Sequence, residues 1–357
     1  MKILTVAGTR PQLVKIGAVS RKLREKFTEV LVNTGQHYDY NMAGVFFDEL
    51  KIPKPDYDLG VGSSSHGKQT GEMMIKLEEV FDNENPDIVL VYGDTNSTLA
   101  GALVAAKRLI PLIHIEAGLR SYNKAMPEEQ NRILTDNLSD LLFIPSDVAE
   151  NNLYKEGITS GIYNVGDVMM DAVLYNSQLA EERYNLSDYG LIPKQYILGT
   201  IHRAENTNDI SKLTAILKSF AKIDKIVYLP LHPRTKKLIN EYGINDIIDA
   251  SNNIKIVEPI SYLEMLLLEK NAYAIVTDSG GVQKEAYFAK VPCITLRDQT
   301  EWTETIELGW NKLLNPLNED LSVALDNINT GEDTFDAYGD GSAADKIVKI
   351  IEEKFIK

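Results

Sequence analysis

Short runs of aliphatic and β-branched residues alternate along this chain with longer stretches of helical periodicity. In the first half the strand-like runs are KILTVAG (2–8), TEVLVNTG (28–35), DIVLVYG (87–93), PLIHIEAG (111–118) and LLFIPS (141–146). In the second half they are QYILGTIH (195–202), KIVYLPLH (225–232), NIKIVEP (253–259), YAIVTDSG (273–280) and PCITLRD (292–298). These runs are apolar throughout instead of alternating, the mark of parallel strands buried on both faces. Two sets of five, separated by helical segments, predict an α/β protein of two doubly wound, Rossmann-like domains. The join is expected near NVGDVMMDA (164–172), giving domains 1–168 and 169–343. The stretch NTGEDTFDAYGDGSA (329–343) reads as loop. The last segment, 344–357, reads as an amphipathic helix with Ile347, Ile350, Ile351 and Phe355 on its apolar face. It closes the second domain or returns to the first.

A length of 357 residues suits two domains, and 44% hydrophobic with 25% charged residues is ordinary for a globular protein. No run approaches the roughly 20 apolar residues of a membrane helix. The N-terminal MKILTVAGTRPQ lacks the pattern of a signal peptide, so a cytoplasmic enzyme is expected. One cysteine, Cys293, excludes an internal disulfide and a cysteine-based zinc cluster. The net charge of −15 argues against a nucleic-acid partner. An acidic protein that binds an anion must gather its cations locally, which directs attention to the strand ends.

Ligands of open parallel sheets bind beyond the carboxyl ends of the strands. Those ends carry Gly8-Thr9-Arg10-Pro11, Gly35-Gln36-His37, Gly93-Asp94-Thr95-Asn96, His114 and Glu116. In the second half they carry His202-Arg203-Ala204-Glu205-Asn206, His232-Pro233-Arg234, Asp278-Ser279-Gly280-Gly281 and Arg297-Asp298. Four of the five histidines fall in this set, and His66 alone does not. TDSGGVQKEA (277–286) has the form of an anion site: Gly280 and Gly281 let backbone N–H groups approach, and a helix N-terminus follows. Ser279 can add a hydrogen bond, and Glu285, one turn on, can reach ribose hydroxyls. The same residues serve equally as a helix cap and turn. GTRPQLVK (8–15) sets Arg10 and Lys15 at a helix start, where the macrodipole disfavours cations unless an anion binds. Arg203, beside His202, is a further candidate for a diphosphate. Pro127, Glu128 and Glu129 in MPEEQNR (126–132) read by themselves as good first-turn residues, with Glu128 and Arg132 an i,i+4 pair. Asp94, Glu116 and Glu128 in one place would raise one another's pKa, the environment that general acid–base work needs.

Taken together, GTRP (8–11), GDTNSTLAGALVA (93–105), HIEAGLRS (114–121), MPEEQNRILTD (126–136), TIHRAEN (200–206), HPRT (232–235), TDSGGVQKEA (277–286) and RDQTEW (297–302) resemble the non-hydrolysing UDP-N-acetylglucosamine 2-epimerases. The resemblance spans nearly the whole chain. It implies a GT-B arrangement of two Rossmann-like domains with the active site in the interdomain cleft, and a C-terminal helix that packs back on the first domain. It implies catalytic roles for Asp94, Glu116, Glu128 and His202, and contacts to substrate or UDP from Arg10, Lys15, Arg132, His232, Ser279, Gly280, Gly281 and Glu285. It reverses the purely structural reading of Glu128. The implied reaction eliminates UDP to a 2-acetamidoglucal and adds it back on the other face, with no cofactor and no metal, to supply surface polysaccharide synthesis. A homodimer is the implied assembly.

Some positions depart from the commonest pattern. GTRPQ has Gln12 where Glu often follows the proline. GQHYDYNM (35–42) lengthens the histidine-to-methionine spacing, which argues against activation by a second UDP-N-acetylglucosamine molecule. VGDVMMDA (165–172) and TEWTETIELGWN (300–311) resemble the branch that includes epimerases of UDP-2,3-diacetamido-2,3-dideoxyglucuronic acid. Two other classes compete. A GT-B glycosyltransferase would need an acceptor, and a silent sugar-nucleotide sensor would lack one or more of the four catalytic candidates.

Overall fold

In the computed structural model, residues 1–35, 47–328, 330–331 and 337–356 are described. His37 and the GQHYDYNM spacing lie outside them, as does part of the loop expected over 329–343. The chain packs as two units, Met1–Tyr175 with Asp336–Lys357, and Asn176–Phe335.

The first unit holds a seven-stranded sheet in the order β3-β2-β1-β4-β5-β6-β7. Its strands are β1 (Lys2–Ala7), β2 (Thr28–Asn33), β3 (Tyr57–Asp58), β4 (Ile88–Tyr92), β5 (Leu112–Ile115), β6 (Leu141–Ile144) and β7 (Ile162–Asn164). The second unit holds six strands in the order β10-β9-β8-β11-β12-β13. These are β8 (Tyr196–Thr200), β9 (Ile226–Pro230), β10 (Ile254–Val257), β11 (Ala274–Thr277), β12 (Cys293–Thr295) and β13 (Asn311–Leu313). Among the described residues every strand pairing is parallel. Each sheet is therefore doubly wound, as the apolar runs predicted.

The ten predicted strands are all present, and three more appear: β3, β7 and β13. Each has two or three residues and sits at a sheet edge. Two or three residues are too few to make an apolar run that can be read. Central β4, by contrast, is IVLVY with every residue buried.

The helix Ala343–Phe355 belongs to the first unit and packs on the helix Arg10–Leu23. Ile347 and Ile351 are fully buried. Lys22–Asp345 at 3.1 Å and Lys26–Glu352 at 3.5 Å flank that contact. The Asp171 carboxylate accepts from the backbone N–H groups of Ala343 at 3.2 Å and Ala344 at 2.8 Å, which fixes the helix start.

Both sheet orders reverse next to their first strand, between β1 and β4 and between β8 and β11. Connections leave in opposite directions there, so a crevice opens past the carboxyl ends.

Candidate active site

At the first of these points, β1 runs into Gly8-Thr9 and the helix Arg10–Leu23, and β4 runs into Gly93-Asp94-Thr95 and the helix Asn96–Lys107. Gln12 joins the two turns. Its Oε1 accepts from the N–H groups of Gly8 at 2.9 Å and Thr9 at 3.1 Å, and its Nε2 donates to the Tyr92 carbonyl at 2.8 Å. A carboxylate could accept from the first pair but could not donate to the carbonyl. The departure at this position thus has a local reason.

Glu116 follows β5 with φ at 70°, a left-handed conformation that costs a non-glycine residue roughly 1–2 kcal/mol. Its carboxylate pairs with the Lys15 ammonium, and both side chains are largely buried. Gly93 is required opposite: a Cβ there would lie 3.2 Å from Glu116 Oε2, and its own φ is 61°. Arg132 pairs with Asp94 and, at 2.8 Å, with Glu129. The expected Glu128–Arg132 pair is thus replaced by Glu129 three residues back and by Asp94 across the turn. Glu129 also accepts from the backbone N–H groups of Ser121 and Tyr122, each at 2.8 Å, which leaves it fully committed. Glu128 stays exposed and lines a cavity of about 230 Å³ with Asp94, Asn96, Pro127 and His66.

Burial pushes the Asp94 carboxyl above its usual range. Arg132 and Lys15 oppose that shift, and the charges of Glu116 and Glu128 add to it. The first unit therefore brings together Lys15, Asp94, Glu116, Glu128 and Arg132. Arg10 is the exposed first residue of its helix.

Two histidines exchange the roles that their sequence positions suggested. His114 lies inside β5 with no exposed surface, not at the strand's end. Its Nδ1 faces Asp136 Oδ1 at 2.6 Å, and its Nε2 faces the Gly93 carbonyl at 2.7 Å. Asp136 also holds Arg120 at 2.7 Å and the Gly118 N–H at 3.1 Å. This chain braces the segments that carry Asp94 and Glu116 from behind. His66, which the strand-end pattern left out, starts the helix His66–Glu84 and lines the cavity.

In the second unit Asp278, fully buried at the end of β11, accepts from the N–H groups of His202 at 3.1 Å and Arg203 at 3.0 Å and from Asn206 Nδ2 at 3.1 Å. It thereby shapes the HRAEN turn. The His202 ring stays 47% exposed, with Nδ1 at 3.4 Å from Asp278. Ser279 caps the helix Gly280–Phe288, its Oγ accepting from Val282 N–H. Gly280 and Gly281 form the first turn. A Cβ on Gly280 would meet Glu301 Oε1 at 2.9 Å, with Arg203 Nη2 at 3.8 Å. His232 caps the helix Pro233–Glu241, its Nδ1 accepting from Arg234 N–H at 3.2 Å, which leaves Nε2 as the donor of an exposed ring. Glu285 is buried one turn further along its helix, against Tyr262 and Glu269.

Among the described residues no group of three or more His, Cys, Asp or Glu side chains could hold a metal ion. No helix there is long and apolar enough to cross a membrane.

The model of the family described as UDP-N-acetylglucosamine 2-epimerase matches residues 21–352. The chain belongs to the UDP-N-acetylglucosamine 2-epimerase family. A UDP-N-acetylglucosamine 2-epimerase homolog of Methanococcus maripaludis is 49% identical over 354 residues, which are 98% of this chain and 99% of that protein. The UDP-2,3-diacetamido-2,3-dideoxy-D-glucuronate 2-epimerase of Pseudomonas aeruginosa is 46% identical over 98% of this chain and 99% of its own. The crystal structure of the Methanocaldococcus jannaschii UDP-GlcNAc 2-epimerase in complex with UDP-GlcNAc and UDP matches with a TM-score of 0.84. It is 44% identical and covers 99% of this chain and 100% of its own. Membership makes this protein an α/β isomerase acting on carbohydrates, with two Rossmann-like domains of the GT-B type. The 2-epimerase resemblance drawn from the motifs is thereby established.

Proposed function

We propose that this 2-epimerase interconverts UDP-N-acetylglucosamine and UDP-N-acetylmannosamine, with UDP as a transient leaving group. The observation that carries the reading is the cluster at the switch point of the first sheet. There Asp94 and Glu116 are each paired with a cation, and Glu128 lines a cavity with Asp94. The C2–H of the sugar has no adjacent carbonyl and is barely acidic. Its removal must therefore accompany departure of UDP from C1. The C2 proton passes to a carboxylate, the C1–O bond breaks, and a C1–C2 double bond forms in a 2-acetamidoglucal. Protonation of the other face of C2 and return of UDP to C1 complete the change, with no net oxidation. Acid–base groups are needed on both faces, and Asp94, Glu116 and Glu128 supply them.

His202, Arg203, Arg10, Lys15, Arg132 and His232 offer positive charge or N–H donors to the growing phosphate charge. Ser279, Gly280 and Gly281 hold the diphosphate at a helix N-terminus. Glu285 takes the ribose. The Pseudomonas relative supports a second substrate, UDP-2,3-diacetamido-2,3-dideoxyglucuronic acid, which differs at C3 and C6 and undergoes the same step at C2. A cytoplasmic homodimer belongs to the same reading, checked by light scattering and cell fractionation.

Incubation with UDP-N-acetylglucosamine in deuterated water, followed by NMR, is expected to place deuterium at C2 and produce the manno isomer. If neither appears, the diacetamido uronate is tried next. Silence with both removes the elimination chemistry.

A further inference from the structure

His66 lines the cavity that holds Asp94 and Glu128, yet the proposed reaction gives it no task. It opens the helix His66–Glu84, is exposed, and is tied to Asn96 through one edge of its ring. Nδ1 lies 3.1 Å from Asn96 Nδ2 and 3.5 Å from Asn96 Oδ1. Which of the two is the hydrogen bond fixes the tautomer of the ring, and so what Nε2 can do.

The surrounding amides decide between them. Gln69 Nε2 donates to the Gly62 carbonyl at 3.1 Å, and Gln69 Oε1 accepts from Asn96 Nδ2 at 2.7 Å. Asn131 Nδ2 donates to the Asp94 carbonyl at 2.9 Å and to Asn96 Oδ1 at 3.3 Å. A backbone carbonyl can only accept, so both ends of this chain are anchored and the orientation of the Asn96 amide follows. Its oxygen is taken by Asn131. Its nitrogen has two hydrogens, one for Gln69 and one for His66 Nδ1. Nδ1 therefore accepts, and the ring carries its proton on Nε2.

The same accounting covers the other side-chain donors of the cavity wall. The Thr9 hydroxyl donates to Gln12 Oε1 at 3.2 Å. The Thr98 hydroxyl donates to the Tyr92 carbonyl at 2.6 Å, so the Thr95 hydroxyl, 3.1 Å away, donates to Thr98. The amide hydrogens of Asn96 and Asn131 are spent as described, and Asp94 and Glu128 are engaged in the proton transfers proposed above. Among the described residues, the side-chain donor of this wall left for a ligand is His66 Nε2–H. Pro11 and Pro127 give the same wall apolar surface.

We propose that His66 is a specificity-determining residue: its Nε2–H donates to the carbonyl oxygen of the sugar's 2-acetamido group, whose methyl lies against Pro11 and Pro127. This rests on the reading above that Asp94 and Glu128 act at C2. Both line the cavity with His66, so the substituent that C2 itself carries is brought to the ring. An amide carbonyl needs a donor, which a carboxylate cannot supply. Both proposed substrates carry this group. His66 therefore selects for the acetamido group at C2 and not among substituents at C3 and C6.

Calorimetric titration of the whole protein with UDP-N-acetylglucosamine and with UDP-glucose, which has a hydroxyl at C2, tests this. The wild type is expected to prefer the acetamido sugar. His66→Phe, which keeps a ring but no N–H, should lose about threefold to tenfold of that preference, the worth of one neutral hydrogen bond. UDP-glucose should bind this variant as it binds the wild type, which general loosening of the helix start would not permit. His66→Gln keeps an N–H donor and should keep most of the preference. A His66→Phe protein with the wild-type preference overturns the proposal. Nitrogen NMR of labelled histidine rings reads the wild-type tautomer directly, with the His66 signals assigned by their loss in His66→Gln. A proton found on Nδ1 also overturns it. An Asp94→Asn protein that exchanges deuterium at C2 as the wild type does removes the placement of C2 and this proposal together. Slowed exchange in Asp94→Asn beside an unchanged preference in His66→Phe removes this proposal alone.

Discussion

Glu116 combines three local costs: a left-handed backbone, a carboxylate 8% exposed, and close approach to Gly93. Lys15 offsets the charge, and the Phe143 carbonyl accepts from the Glu116 N–H at 3.0 Å. Such strain survives where neighbours over-determine a conformation, as the His114–Asp136–Arg120 chain does here. Asp94 works in the same direction. Its folded-state pKa is raised, so its contribution to stability is full below the ordinary carboxylate range and is lost as pH rises through the raised value. Once ionised, Asp94 therefore weighs against folding. This pattern belongs to groups kept for chemistry. Glu116→Gln is expected to slow C2 exchange by about 10²–10⁴-fold, the usual worth of an acid–base group. UDP binding should be retained, because the amide keeps the size of the carboxylate and leaves the Ser279, Gly280 and Gly281 helix start unaltered. NMR exchange and calorimetric titration measure the two. Unchanged exchange would remove Glu116 from the mechanism.

At the level of elements, the site depends on turns joined across the sheet. Gln12 turns back on its own helix start, its Oε1 accepting from the Thr9 N–H three residues earlier at 3.1 Å. The reach of Gln12 to Tyr92 is not visible in the sequence, because nothing local says that β1 and β4 are neighbours. The C-terminal helix shows a similar division. Its apolar face is legible at Ile347, Ile350, Ile351 and Phe355, whereas its partner, the helix Arg10–Leu23, is more than 300 residues away in the chain. Ile351 is fully buried in that contact. Ile351→Ala should destabilise the first unit by about 2–5 kcal/mol, read as a lower urea midpoint. A midpoint equal to wild type would mean that the helix contributes little to the first unit.

For the molecule as a whole, the charge of −15 would repel a diphosphate, so affinity must come from local donors. In the proposed reading the second unit supplies these from the N–H groups at the start of Gly280–Phe288, with Arg203 and His202 on the neighbouring turn. Binding of UDP to the folded protein alone should add about 2.7 kcal/mol of stability when UDP is at a hundred times its Kd. Hydrogen exchange followed by mass spectrometry should locate the strongest protection in 200–208 and 277–288. Protection confined to the first unit would contradict the assignment of UDP to Ser279, Gly280 and Gly281.

The amino-acid sequence determined the class of the fold and the family, because both are written in local patterns. Buried parallel strands demand apolar runs, and the chemistry of the turns after them demands particular residues in order. It also supplied most of the candidate side chains, since Asp94, Glu116, His202 and Ser279 stand at or beside strand ends. Tertiary structure alone decided which of these meet. Lys15 comes to Glu116, and Arg132 to Asp94, only when β1, β4 and β5 lie side by side. It sorted His114 into the core and His66 into the cavity, a distinction that spacing cannot make because it depends on what packs behind each ring.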